Sequence, residues 1–339
     1  MRVILLGFFA ISCLYGQTSI NHKFTELGIL SYPTTKMKPL QVVKNVPRMD
    51  NVKVNASVSL FKAGSASFII KPERPHTLTA KSGLQIRISP KSFFHKDGKQ
   101  AKGEVKLELT FLRDKLQFVS SGLGLKYYDS IGQGSYMEPK SIFRIRAFQG
   151  SEELLLGKGK VIRVNVPARF ANTRNFYHMD LQDGRWKYYI QPSFSGKKEE
   201  GEGKQVRIGK LGHFMYGEVM GQDTACVKGK IIDPQNLLGK EVQVISLGLR
   251  YNTYYSKWTK NDTFHVNVNK NSRARVLVID KQGYYGISPV IDTPSKSGST
   301  AKKEGPGNYK KDIGTIKILS KPITAKDKKK LLQKFMPTK

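Results

Sequence analysis

Apolar and polar residues alternate with a period of two through much of the chain. Gln85 and Arg87 separate Leu84, Ile86 and Ile88, and Lys106, Glu108 and Thr110 separate Val105, Leu107, Leu109 and Phe111. Successive side chains of a strand point to opposite faces, so each run predicts a strand with one buried and one wet face. Asp97-Gly98 between the runs predicts a tight turn, because glycine accepts the positive φ that a hairpin demands. Phe143, Ile145 and Ala147 oppose Ile142, Arg144 and Arg146 and lead into a turn at Gly150-Ser151-Glu152. Ile162, Val164 and Val166 make a strand that stops at Pro167, and residues 176–189, broken at Asp183-Gly184, read as a further hairpin.

A second series of strands is predicted at 227–232, 242–247, 264–268 and 274–279, with a last one at 313–319. Turn residues bound them: Asp233-Pro234, Lys260-Asn261-Asp262, Asn269 to Ser272 and Gln282-Gly283. Short strands recurring every ~8–12 residues are the signature of a sandwich or barrel. The expected fold class is therefore all-β, with two β-sandwich domains in tandem over 76–215 and 224–320. A partly ordered N-terminal segment, 17–75, precedes them. Pro33, Pro39 and Pro47 interrupt any helix there, and Val58, Leu60, Phe68 and Ile70 predict one or two short strands. Residues 195–204 and 294–309 are polar, Gly- or Ser-containing stretches expected to be loops.

Residues 321–339 are expected to be a short basic C-terminal helix or tail. Thr324 with Asp327 fits a capping box, and Leu331, Leu332 and Phe335 fall on one helical side. Against that helix stands a solvated tail, the expected state here, since chain ends order only when tied down. At the other end, Arg2 precedes an apolar stretch over 3–14 and small Gly16 precedes polar Gln17. This pattern predicts a signal peptide over 1–16 and an exported protein of the periplasm, outer-membrane surface or extracellular space. In a competing reading, Cys13 after Ala10-Ile11-Ser12 carries a lipid. Removal of 1–16 leaves Cys226 as the remaining thiol, expected as a small buried hydrophobe.

Composition narrows the function classes. With 39% hydrophobic residues in 339, the chain can bury real cores. No apolar run reaches the ~18 residues of a spanning helix. Two cysteines supply neither a disulfide scaffold nor a zinc ribbon. The net charge of +32 is spread along the chain, and residues 296–339 alone hold 13 Lys against three acids. Such a field attracts anionic polymers and weakens with salt. The expected partners are anionic polysaccharide, lipopolysaccharide or another envelope protein, with peripheral membrane contact. The Lys-rich tail, Lys326, Lys328, Lys329, Lys330 and Lys334, lacks interleaved aromatics, which argues against sequence-specific nucleic-acid readout. Tyr251, Tyr254, Tyr255 and Trp258 form an aromatic cluster with two readings: strand packing, or a sugar-stacking or protein-contact surface.

Several stretches resemble a known family. Leu78 to Ile88 with Ser92-Phe93 and Asp97-Gly98, then Gly103 to Leu109, Leu116 to Gly122 and Tyr128-Asp129-Ser130, are similar to the strands and loops of a ZU5-like β domain. Phe176 to Asp180 with Asp183-Gly184-x-Trp186 matches its next hairpin. Val227 to Asp233, through Asp262-Thr263-Phe264-His265-Val266, resembles a carboxypeptidase-regulatory-like (transthyretin-type) β-sandwich. Secreted proteins of Bacteroidetes-type bacteria join these two modules. The resemblance implies fold and carries no chemistry. Some ZU5-type domains cleave themselves at His-Phe-Ser. Here the matching step is His213-Phe214-Met215, and methionine offers no nucleophilic oxygen.

No other pattern points to catalysis. His76, His95, His178, His213 and His265 show no metal-ligand spacing and are expected as surface or satisfied core residues. No G-x-S-x-G elbow occurs, Gly157-Lys158-Gly159-Lys160 reads as a hairpin, and adjacent Glu152 and Glu153 should point apart on a strand. The expectation is a non-enzymatic envelope module with no catalytic residue, cofactor or metal. The alternative is an accessory carbohydrate-active or proteolytic enzyme whose site is assembled from distant strands.

Overall fold

Leu84, Ile86 and Ile88 are at most 3% exposed, while Arg87 between them faces solvent. The same alternation organises the whole first half. The computed structural model describes residues 56–128, 134–173, 175–180, 184–190, 204–220, 224–293 and 310–335. The predicted signal peptide, Cys13, residues 195–203 and 294–309, and Asp183 lie outside the described residues.

Helix α1 (Ala56–Ser59) leads into β1 (Ser65–Ile70), β2 (His76–Thr79), β3 (Gln85–Ile88), β4 (Phe93–Phe94) and β5 (Val105–Leu112). After helix α2 (Lys115–Ser121) come β6 (Lys126–Tyr128), β7 (Gly134–Gln149), β8 (Glu152–Glu153), β9 (Leu155–Leu156) and β10 (Ile162–Val166). Then follow β11 (Phe176–Asp180), β12 (Arg185–Tyr188), β13 (Lys204–Ile208) and β14 (Gly212–Met220). An eight-stranded sheet in the order β1-β5-β7-β14-β11-β12-β6, with β8 on β7, stacks on a four-stranded sheet β13-β10-β3-β2. Leu107, Phe143, Phe176 and Phe214 from the first sheet meet Ile86, Val164 and Ile208 from the second in one core. The long strand β7 accommodates Pro139 opposite Gly217, where the register of β14 shifts. A bulge is where a residue without an N–H fits a sheet.

The second half contains β15 (Thr224–Ile232), β16 (Val242–Gly248), β17 (Tyr254–Thr259), β18 (Thr263–Asn269), β19 (Arg273–Asp280), β20 (Tyr285–Ile287), β21 (Ile291–Asp292) and β22 (Lys310–Lys317), followed by helix α3 (Lys328–Lys334). Its sheets run β18-β15-β22 and β17-β16-β19-β20, with β21 on β19. Val227, Val244, Val266 and Val276 fill the space between them. The fold is all-β, as the alternation predicts, with the last strand starting at Lys310 rather than Ile313.

A third core lies between the outer faces of the eight-stranded and five-stranded sheets. Met137, Ile142, Trp186 and Met215 from the first half join Ile245, Leu247, Leu277 and Ile279 from the second. Both sheets are therefore dry over much of both faces, where a single dry face was expected. The helices fill this layer. Asp114 caps α2 by accepting the Gln117 N–H at 2.9 Å, and Gly122 ends it at φ 70°, a left-handed value that favours glycine. The family resemblance implied a loop beyond the strand here, and the structure has a helix in its place. Val58, expected on a strand, sits on the helical turn α1 and is 1% exposed.

The C-terminal segment is also corrected. The capping box of Thr324 and Asp327 forms, α3 follows, and Leu331 and Phe335 are 2% and 0% exposed. The tail docks because its apolar side completes the third core, so it is not a solvated extension. Lys115 secures the junction. Its ammonium donates to the carbonyls of Gly248, Leu249 (2.8 Å) and Phe335 (3.1 Å). Burial pushes its pKa down to about 8, against the pull of Glu138.

Candidate functional site

The outer face of the four-stranded sheet places three arginines side by side. Arg87 on β3 lies opposite Arg163 on β10, which lies opposite Arg207 on β13, with Thr77 completing the row on β2. A second row one step along the strands holds Thr79, Gln85, Asn165 and Gln205. Arg87 is exposed, and Arg163 and Arg207 are half-buried. Strands lie ~4.8 Å apart, so the row presents positive charge over about 10 Å across the strand direction. Like charges directly opposite on neighbouring strands are unfavourable. A guanidinium fork matches a carboxylate, sulfate or phosphate in two hydrogen bonds, so a row of this composition is chemically suited to anionic groups.

A groove of about 530 Å³ lies between the two halves, lined by Lys126, Tyr136, Cys226, Tyr254, Tyr255, Lys257 and His265 among others. Tyr255 meets Tyr136 edge-on at 4.6 Å between ring centres, and the Lys126 ammonium lies 5.9 Å from the Tyr136 ring. The Tyr255 hydroxyl donates to Asn269. Cys226 is half-exposed here, a correction to its expected burial: Ala225 and Val227 point inward and Cys226 outward. Its sulfur is 4.0 Å from His265 Nδ1. Among the described residues no carboxylate orients His265, so the pair lacks the third group that activates a nucleophile.

The predicted aromatic residues do not share one face. Tyr254 is 5% exposed, and its hydroxyl donates to the carbonyls of Leu123 and Phe118 (3.2 Å), tying β17 to α2. Tyr255 and Tyr254 are successive on β17, so their rings leave opposite sides of the strand. Tyr251 lies half-buried under the Arg250 guanidinium at 5.6 Å, and Trp258 is half-buried on β17. Of the tail lysines, Lys328 pairs with Asp114 at 3.1 Å, while Lys326, Lys329, Lys330 and Lys334 are exposed. The arginine row went unread in the sequence. Arg87 is legible there as an outward residue, but nothing local brings Arg163 and Arg207 beside it.

The carboxylates point apart as expected. Glu152 pairs with His95 Nδ1 at 2.8 Å, which raises the pKa of that histidine, and Glu153 holds Arg146 in a two-point bridge. Among the described residues no group of three or more His, Cys, Asp or Glu could hold a metal ion. His178 and His213 are core residues satisfied only in part: among the described residues His178 Nε2 and His213 Nδ1 are buried without a partner, while His178 keeps a backbone hydrogen bond with Leu211. Burial, abetted by Lys210 for His178 and by Arg144 for His213, pushes each pKa down to about 4. The unfolded chain protonates these rings near pH 6.5 and the folded chain only near 4. Their contribution to stability is complete above pH 6.5 and is lost as pH falls toward 4. Urea unfolding at pH 7, 5.5 and 4 should show this decline, made shallower in His213→Leu. An equally steep decline in that variant would refute the assignment.

His213, Phe214 and Met215 lie inside a regular ladder, paired with Arg144, Phe143 and Ile142. No protein family matches the chain, and no curated protein does. Among solved structures, the major pilin protein (T3.2) from Streptococcus pyogenes serotype GAS13637 aligns at 12% identity over 80% of this chain and 93% of the pilin. Its TM-score of 0.16 is too low to carry a shared fold.

Proposed function

We propose that this is an exported, non-enzymatic β-sandwich protein of the cell envelope that holds an anionic polysaccharide across the Arg87–Arg163–Arg207 row. The observation that carries the reading is that row, in register on three adjacent strands of a rigid sheet. The adjoining row of Thr79, Gln85, Asn165 and Gln205 supplies amides and hydroxyls suited to sugar hydroxyls, and the +32 net charge speeds encounter with a polyanion. The apolar stretch over 3–14 before Gly16-Gln17, and the resemblance of the strand and turn motifs to secreted ZU5-like and carboxypeptidase-regulatory-like proteins, support the envelope setting.

Polygalacturonate, with neutral dextran as control, is the test probe. Binding should weaken progressively as salt rises from low to molar concentration, because the exposed charges are screened. Arg163→Gln, at the centre of the row, should weaken it about tenfold, equivalent to about 1.4 kcal/mol. The triple Gln variant should abolish binding while keeping the wild-type circular-dichroism spectrum. Unchanged binding in the triple variant, or a protein partner recovered from envelope extract with no affinity for polygalacturonate, would sink the proposal.

A further inference from the structure

A row of polar side chains crosses the eight-stranded sheet on the face turned away from the first core. Ser65, Thr110, Arg144 and His213 stand in direct register on β1, β5, β7 and β14. The next row along the strands is apolar: Leu112, Ile142 and Met215. Gln117, Ser120 and Ser121 of α2, with Leu123, line the space over these rows, and Lys62 and Ala63 complete a cavity of about 210 Å³. Two hydroxyls are already committed to each other, Ser65 Oγ and Thr110 Oγ1 at 2.6 Å.

Arg144 is the unusual member. Its neighbour Arg146 is neutralised by Glu153 through bonds of 2.8 and 2.9 Å, and Glu108 is held by Lys106 at 2.8 Å. Arg144 itself is half-buried, and its guanidinium has neither an ion pair nor a hydrogen bond among the described residues. Among the described residues no carboxylate lines the cavity. Beside Arg144, His213 keeps Nδ1 buried without a partner. The helix hydroxyls already donate inward, Ser120 to the Gln117 carbonyl at 3.0 Å and Ser121 to the Phe118 carbonyl at 2.6 Å. The Gln117 side-chain oxygen accepts from the Arg113 N–H at 2.8 Å. Glu108 and Glu153 act on Arg144 only at a distance, so the outstanding requirement is an anion in direct contact with a partly desolvated planar cation.

We propose that this cavity binds a small organic monocarboxylate, its carboxylate on the Arg144 guanidinium and its carbon chain against Ala63, Leu112, Leu123 and Ile142. A carboxylate satisfies a guanidinium fork in two parallel hydrogen bonds. One charge suffices, because His213 is neutral at pH 7 and Lys62 is exposed at the margin. The apolar wall offers nothing to a polyhydroxylated chain and favours hydrocarbon. At ~30 Å³ per water in the liquid, the space equals about seven waters, room for a molecule of about seven or eight heavy atoms and for no polymer. This site is on a different sheet from the arginine row and stands independently of it.

Titration calorimetry of the full chain with hexanoate, hexanol and inorganic phosphate decides the matter. Hexanoate should bind saturably, at least tenfold more tightly than hexanol or phosphate. Arg144→Gln should weaken hexanoate at least tenfold while leaving hexanol unaffected. Ala63→Trp, which narrows the cavity without touching the charge, should weaken both and keep the wild-type circular-dichroism spectrum. If Arg144→Gln fails to fold, Ala63→Trp still provides the test. Absent saturation with hexanoate, equal affinity for hexanol, preference for phosphate, or hexanoate binding unchanged in either folded variant would overturn the proposal. Polygalacturonate binding is not expected to change in these variants, so failure here and failure of the polysaccharide reading are read separately.

Discussion

Replacing Phe335 by alanine is expected to destabilise the protein by about 3–5 kcal/mol, the range for a large aromatic removed from a packed interior. Phe335 is 0% exposed, and it packs in the third core with Leu331, Ile323, Phe61 and residues of both halves. The segment cannot relax freely to refill the void. The Ile323 N–H is held by the Gly283 carbonyl at 2.7 Å, and Lys328 is tied to Asp114. Urea unfolding of Phe335→Ala beside Lys334→Ala, an exposed neighbour expected to stay within about 0.5 kcal/mol of wild type, is the measurement. Equal stability of the two variants would mean that the tail is solvated after all.

Lys115→Met should cost about 2–4 kcal/mol. The methionine keeps most of the stem's packing but leaves the carbonyls of Gly248, Leu249 and Phe335 without their shared donor. Hydrogen bonds to a charged group contribute ~1.5–3 kcal/mol, and the acceptors left behind are partly buried. The wild-type pH profile provides a second reading. With a folded pKa of about 8 and an unfolded value near 10.5, the unfolded chain binds more protons between these limits. Stability should therefore rise with pH across that window, and the rise should vanish in Lys115→Met. A rise of equal size in the variant would assign it to another group. Because Lys115 bonds the carbonyl of Phe335, the two substitutions share a partner, and their effects should depart from additivity by ~0.5–3 kcal/mol.

Where the sequence misled, a physical cause can be named. Val276-Leu277-Val278-Ile279 is a continuous apolar run, the mark of a strand dry on both faces. Leu277 and Ile279 enter the third core, while Val276 and Val278 enter the second sandwich. Helix α2 carries its own signals, Asp114 with Gln117 at the start and Gly122 at the end. Seven residues with mixed polarity are too few to display a helical period against a β-rich background. Strand β17 reads Tyr-Tyr-Ser-Lys-Trp-Thr, strong in strand-favouring residues, and its pleat sends the adjacent Tyr254 and Tyr255 to opposite faces, so closeness in sequence does not make one aromatic surface.

What the sequence by itself determined is the class of element and the inward set on each strand, because side-chain direction in a strand depends only on local backbone geometry. Leu84, Ile86 and Ile88, or Val105 through Phe111, point inward in any sheet that pairs them. The turn at Asp97-Gly98 and the capping box at Thr324 are equally local. Only the tertiary structure decided which strands lie side by side, and so which outward residues meet. Arg87, Arg163 and Arg207 become a row, and Ser65, Thr110, Arg144 and His213 another, through registers joining segments remote along the chain. The third core has the same origin. Its apolar residues come from two sheets and three helices, and none can signal in isolation that a second surface will cover it. Local geometry is written residue by residue, whereas pairing and coverage are settled by the competition among all ways of burying apolar surface at once.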